Sequence, residues 1–134
     1  MTSRGMTATT EETFARLSLL IQIGDRVNFT AAMEEITNGV LKFDINYQDA
    51  GHKNSLLHVA CQNGNKVIVK NCLRSGAYIN CQNSRGNTPL HYCFAYGYTE
   101  LGQYLVSKGA DDAMRNVDGL TCYEGLNGDD ISLL

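Results

Sequence analysis

Ser55-Leu56-Leu57-His58 and, 33 residues further on, Thr88-Pro89-Leu90-His91 carry the same four-residue signal. The echo extends both ways at the same offset: Gly64 returns as Gly97, and Gly76-Ala77 as Gly109-Ala110. Gly86 and Thr88 return once more as Gly119 and Thr121. A fixed period that puts turn residues and apolar residues at matching phases means stacked copies of one small unit. Such a unit cannot bury its apolar side alone, so each copy leans on its neighbours.

Elementary rules give the shape of the unit. Thr88 ahead of Pro89 is a helix start, because the hydroxyl caps orphan amides and Pro fits the first turn. Gly64 and Gly97 end short first helices. Val67, Ile68, Val69, Cys72 and Leu73 favour one side of a second helix over Lys66–Arg74. Leu101, Tyr104, Leu105 and Val106 do the same over Thr99–Lys108. Gly76 and Gly109 stop these second helices. Polar Asn80–Asn87 and Arg115–Gly119 read as hairpin-like loops between units.

Gly86-Asn87-Thr88-Pro89-Leu90-His91, followed by Gly109-Ala110-Asp111 and preceded by Gly76-Ala77-Tyr78-Ile79-Asn80, resembles the ankyrin repeat. The resemblance is close over roughly residues 46–126 and weaker at both ends. It implies an all-α solenoid of stacked helix-turn-helix units with hairpin-like loops. It also implies that His58 and His91 bond main chain in neighbouring loops, a structural role.

The ends depart from the pattern. Phe14–Ile23 and Phe29–Thr37 read as two helices, and Asp44-Ile45-Asn46 then closes a divergent first unit. Its second helix reads as longer than the later ones, and the loop at Tyr47–Asn54 as one residue longer than its counterpart. Residues 1–12 read as a tail, 13–46 as an N-terminal cap repeat, 47–79 and 80–112 as full repeats, and 113–134 as a partial C-terminal cap. Thr121-Cys122-Tyr123-Glu124 keeps the phase of Thr-Pro-Leu-His without its letters, leaving open a cap or an exposed docking edge. Ser132-Leu133-Leu134 has the form of a C-terminal peptide ligand, and equally of a helix start.

Length and composition fit one small solenoid of 134 residues, 43% hydrophobic. The net charge of −3 and the scattered placement of Lys66, Lys70 and Arg74, read as a solvated helix side, give no footprint for nucleic acid. No stretch approaches the roughly 20 apolar residues of a membrane span, so no direct insertion is expected. Five cysteines at 61, 72, 81, 93 and 122 lack metal or redox spacing. Read as free thiols, with Cys61, Cys72 and Cys93 buried, they point to a cytoplasmic protein. No phosphate loop, nucleophile elbow or metal motif appears, so no catalytic residue, cofactor or metal ligand is nominated and the chain reads as a non-enzyme.

The resemblance instead implies protein binding on a concave face made of loop tips and first helices. Matching positions are Asn54, Gln62 and Asn63; Gln82, Ser84, Arg85, Asn87, Ala95 and Tyr96; and Arg115, Val117, Asp118 and Leu120. Arg85 and Tyr96 are the residue types most often found as interface hot spots. His91–Tyr98 holds four aromatics, of which Tyr92 and Phe94 are expected in the core and Tyr96 and Tyr98 nearer the surface. Phe94 stands where a small residue is usual, so helix packing there must differ. The expected role is an adaptor or scaffold. The alternatives are a fixed subunit of a larger cytoskeletal or ciliary complex, and a regulatory or inhibitory subunit of an enzyme.

Overall fold

The computed structural model describes residues 9–126. Among them are six helices and no strand: α1 (Thr10–Gln22), α2 (Arg26–Thr37), α3 (Leu56–Gln62), α4 (Lys66–Arg74), α5 (Pro89–Ala95) and α6 (Thr99–Ser107). They pair as three antiparallel hairpins. The first helices α1, α3 and α5 form one layer with α3 in the middle, and α4 packs more closely on α2 than on α6.

The helix starts follow the capping chemistry. Ser55 and Thr88 each accept a hydrogen bond from the main-chain N–H three residues on, and the ring of His58 or His91 returns to the N–H of the cap. This is a capping box closed by histidine rather than Glu. One correction concerns the first unit. The helix begins at Thr10, not Phe14, and a Thr9–Glu12 capping box starts it, so residues 9–12 belong to the fold. Residues 1–8, the rest of the expected tail, and Ser132-Leu133-Leu134 lie outside the described residues. As expected, α2 at 12 residues is longer than α4 at 9.

Leu17, Ile21, Phe29, Leu56, Leu57, Ile68, Val69, Leu90, Tyr92 and Leu105 form the core, with Cys61, Cys72 and Cys93 among them. Phe94 is only half-buried, and its ring packs over Gly102 in α6, where an added Cβ would come within 2.7 Å of a ring carbon. That is the altered helix packing that Phe94 requires. Beyond α6, Cys122 is buried, Leu126 packs on the core, and the Tyr123 ring lies 4.9 Å from that of Phe94. The described part of the last unit therefore covers some of the edge of its neighbour.

The units are also tied through their closing turns. Asn46 donates to the Gly76 carbonyl at 3.0 Å and accepts from the Tyr78 N–H at 2.7 Å. Asn80 accepts from the Asp111 N–H at 2.8 Å. These side chains stand in for a ladder that the short turns lack.

Candidate functional site

Three loops project from the starts of α3 and α5 and from the segment before Thr121. Each closes on a main-chain bond: Asp49 to Asn54, Asn83 to Asn87, and Asn116 to Leu120, from N–H to carbonyl at 2.9–3.0 Å. The first loop spans one residue more, and Lys53 takes a left-handed backbone (φ 61) to fit it in. Neighbouring loops are then joined. The Ser84 N–H donates to the His52 carbonyl, and the Val117 N–H to the Arg85 carbonyl.

A buried asparagine ladder lies beneath the tips. The Asn83 amide donates to Asn54 Oδ1 and to the Tyr92 hydroxyl, both at 2.9 Å, while its own oxygen accepts from the N–H groups of Arg85 and Asn87. Asn116 repeats the pattern, donating to Asn87 Oδ1 at 2.9 Å and accepting from Asp118 and Leu120. Asp49 holds the equivalent place in the first loop, accepting from the Asn54 N–H at 2.7 Å. The histidines complete the frame, with His58 Nε2 2.8 Å from the Asn87 carbonyl and His91 Nε2 2.9 Å from that of Leu120. Because each Nδ1 accepts from the cap N–H, Nε2 carries the proton and donates. Burial drives the His58 pKa down to about 4, against the opposing pull of the Asn87 carbonyl.

This geometry sorts the candidate residues. Ser84 and Asp118 are exposed at the tips, and Val117 is 61% exposed. Arg85 is half-buried, its guanidinium 3.5 Å from the Asp118 carboxylate across two loops. Arg115 is exposed and donates to the Gly119 carbonyl at 2.6 Å and toward Glu124 at 3.4 Å. Tyr96 is part-exposed and stacks on Tyr92 with ring centres 6.2 Å apart, its hydroxyl enclosed without a hydrogen-bond partner.

Five positions read differently from expectation. Asn87 is fully buried as a ladder member, so it offers no side chain to a partner. Asn54 is buried for the same reason. Asn63 caps the end of α3 and donates to the Val59 carbonyl at 2.8 Å. Leu120 acts through its main chain, accepting from His91 and donating to Asn116. Tyr98 lies at the far end of α5 from the loops, its ring against Gly64. The tips therefore bring together Ser84, Arg85, Val117 and Asp118, and Tyr98 is outside that group.

Sequence reasoning missed the cleft between α1 and α3. Phe14, Ser18, Asp49, His52, Val59 and Gln62 are among the residues lining a space of about 260 Å³. Ser18 Oγ and Gln62 Nε2 are enclosed there without hydrogen-bond partners. Nothing in the divergent α1 sequence marked Ser18 as facing the second repeat.

The core thiols are held in their neutral form. Burial pushes the Cys72 thiol up to about 12 and raises that of Cys61 as well, so these sulfurs stay protonated. Among the described residues no group of three His, Cys, Asp or Glu side chains is placed to hold a metal, and no helix is long and apolar enough to cross a membrane.

Stacked helical hairpins joined through a cross-tied row of loops define a repeat solenoid. The family model of ankyrin repeats (3 copies) matches residues 17–116, and the chain belongs to this family. It is 40% identical over 70 residues to the ADP-ribosylation factor GTPase-activating protein AGD2 of Arabidopsis thaliana, covering 52% of this chain and 9% of that protein. It is 41% identical over 63 residues to human protein phosphatase 1 regulatory subunit 27, covering 47% and 41%. It is 30% identical over 122 residues to palmitoyltransferase AKR1 of Lachancea kluyveri, covering 90% and 16%. The chain thus spans less than half the length of each of these relatives.

Proposed function

We propose that this chain is a non-catalytic adaptor that binds a partner protein on the face formed by its loop tips and first helices. The observation that carries the reading is the double tie between loops, Ser84 to His52 and Val117 to Arg85, above the buried asparagine ladder. It fixes the tips before any partner arrives, which removes most of the ordering cost of association. Arg85, steered by Asp118, would be the charged anchor and Val117 the apolar one. Tyr96, with Gln62 and Ser84, would extend the contact along the groove. Buried free thiols at Cys61, Cys72 and Cys93 fit a reducing compartment and support placement in the cytoplasm.

A second reading, a regulatory subunit of an enzyme using the same face, is supported by the likeness to protein phosphatase 1 regulatory subunit 27. A fixed place in a cytoskeletal or ciliary complex has no feature of its own among the described residues.

The test is quantitative affinity capture from the native cell with wild type and an Arg85→Ala/Tyr96→Ala variant, with thermal melts as a folding control. A partner depleted at least about tenfold with the folded variant supports the reading. Partners recovered equally by both would remove the working surface from this face.

A further inference from the structure

The sequence shows Lys66, Lys70 and Arg74 as a solvated stripe on one helix. The fold adds a second element. Tyr104 and Lys108 on or next to α6 close an open trough of about 600 Å³ with Lys70, Leu73, Arg74, Ala77 and Ile79 from the preceding unit. Three ammonium groups converge on one ring: the Nζ atoms of Lys66, Lys70 and Lys108 lie 4.6, 5.5 and 5.6 Å from the centre of Tyr104. The ring quadrupole attracts each ammonium but neutralises none of its charge. No carboxylate lines the trough, and among the described residues no ion pair involves these four cations. A chain of net charge −3 thus concentrates positive charge around an apolar floor. The place is on the second-helix side, away from the loop tips.

We propose that this trough is a second binding site, taking a partner segment rich in Asp and Glu that carries an apolar anchor residue. The carboxylates would pair with Lys70, Arg74 and Lys108, and the anchor would cover Leu73, Ala77, Ile79 and the Tyr104 face. A small anion would leave that floor bare. A bilayer surface is too flat to enter a concave site. A nucleic-acid strand needs a longer basic track and is repelled by the rest of the molecule. Charge pairing over an apolar floor matches an acidic, amphipathic peptide best.

The test is selection of a displayed random-peptide library on the whole chain, with counter-selection on a Lys70→Glu/Lys108→Glu variant. Enriched peptides are expected to combine Asp or Glu with Leu, Ile or Phe. A labelled one should bind the wild type at least about tenfold more tightly than the variant, and more weakly as salt rises from about 50 to about 300 mM. Its binding should be unchanged in Arg85→Ala/Tyr96→Ala, which separates this site from the loop-tip face. Lys70→Gln/Lys108→Gln serves if charge reversal impairs folding, as judged by circular dichroism. Absence of enrichment, enriched peptides without acidic residues, or equal binding to the variants would overturn the proposal. So would tighter binding at the same lysines by phosphatidylserine vesicles or a single-stranded oligonucleotide.

Discussion

The ring of Phe94 occupies the space that a side chain at position 102 would need. Gly102 is buried within α6, and a Cβ there would approach Phe94 ring carbons at 2.7 and 2.8 Å. The two positions therefore act as one packing unit. Gly102→Ala is expected to forfeit the roughly 1 kcal/mol that Ala ordinarily gains over Gly inside a helix, because the Phe94 ring must shift to admit the Cβ. Paired with Phe94→Leu, the same change should cost less than the sum of the single changes. A double-mutant cycle in urea checks this, and additivity would mean that the two side chains do not share the space.

The buried His58 predicts a dependence on pH. Its pKa is lowered to about 4 from 6.5. The unfolded chain takes up this proton first as pH falls, so the contribution is complete above about 6.5 and is lost progressively toward about 4. Over that window the loss attributable to His58 is about 3 kcal/mol. Unfolding free energies of wild type and His58→Gln, measured from pH 7 to pH 4, should converge as the pH drops. Parallel curves would count against the buried neutral ring.

Gly76 and Gly109 sit at φ of 90° and 104° with nothing within 4 Å of a built Cβ. Any penalty there comes from backbone conformation, not crowding. Gly76→Val and Gly109→Val should each cost more than about 1 kcal/mol, read as a lower midpoint of thermal unfolding. Unchanged melting in both variants would mean that these turns are not left-handed.

The Arg85–Asp118 pair is about one-third exposed on each side, at 3.5 Å. Solvent screens such a pair, so Asp118→Ala should change stability by less than about 1 kcal/mol. Partner binding should respond more, because the guanidinium loses its steering group. A large loss of stability instead would assign the pair to the frame.

The 33-residue echo made the repeat visible in the sequence, since each unit spends the same residues on the same caps and turns. Lys66–Arg74 could be bounded by its glycine and its apolar spacing and agrees with α4 as found. The start of α1 was not legible. The first apolar residue of the helix, Phe14, stands a full turn inside it, and the polar first turn is marked only by the Thr9–Glu12 capping box. The loop positions show why phase alone misreads a site. Asn87 and Ser84 are equally polar, yet one is fully buried in the ladder and the other is exposed, and only the three-dimensional pairing of loops separates them. The cation trough was hidden for a related reason. Lys70 and Lys108 approach the same Tyr104 ring from different repeats, so no window of sequence contains the cluster.

The ties between loops divide the labour of each residue. Ser84 and Val117 hold their neighbours through main-chain N–H groups alone, which every residue except proline supplies. Asn83 and Asn116 hold them through side chains, and no other residue presents the amide at the same reach from the backbone. Ser84→Tyr should accordingly leave stability within about 0.5 kcal/mol, whereas Asn83→Ala should cost about 2–4 kcal/mol by orphaning several buried groups at once. What a partner reads and what keeps the loops in place are thus written in different letters. On the proposed reading, recognition could be rewritten at the tips, one position at a time, over an unaltered chassis.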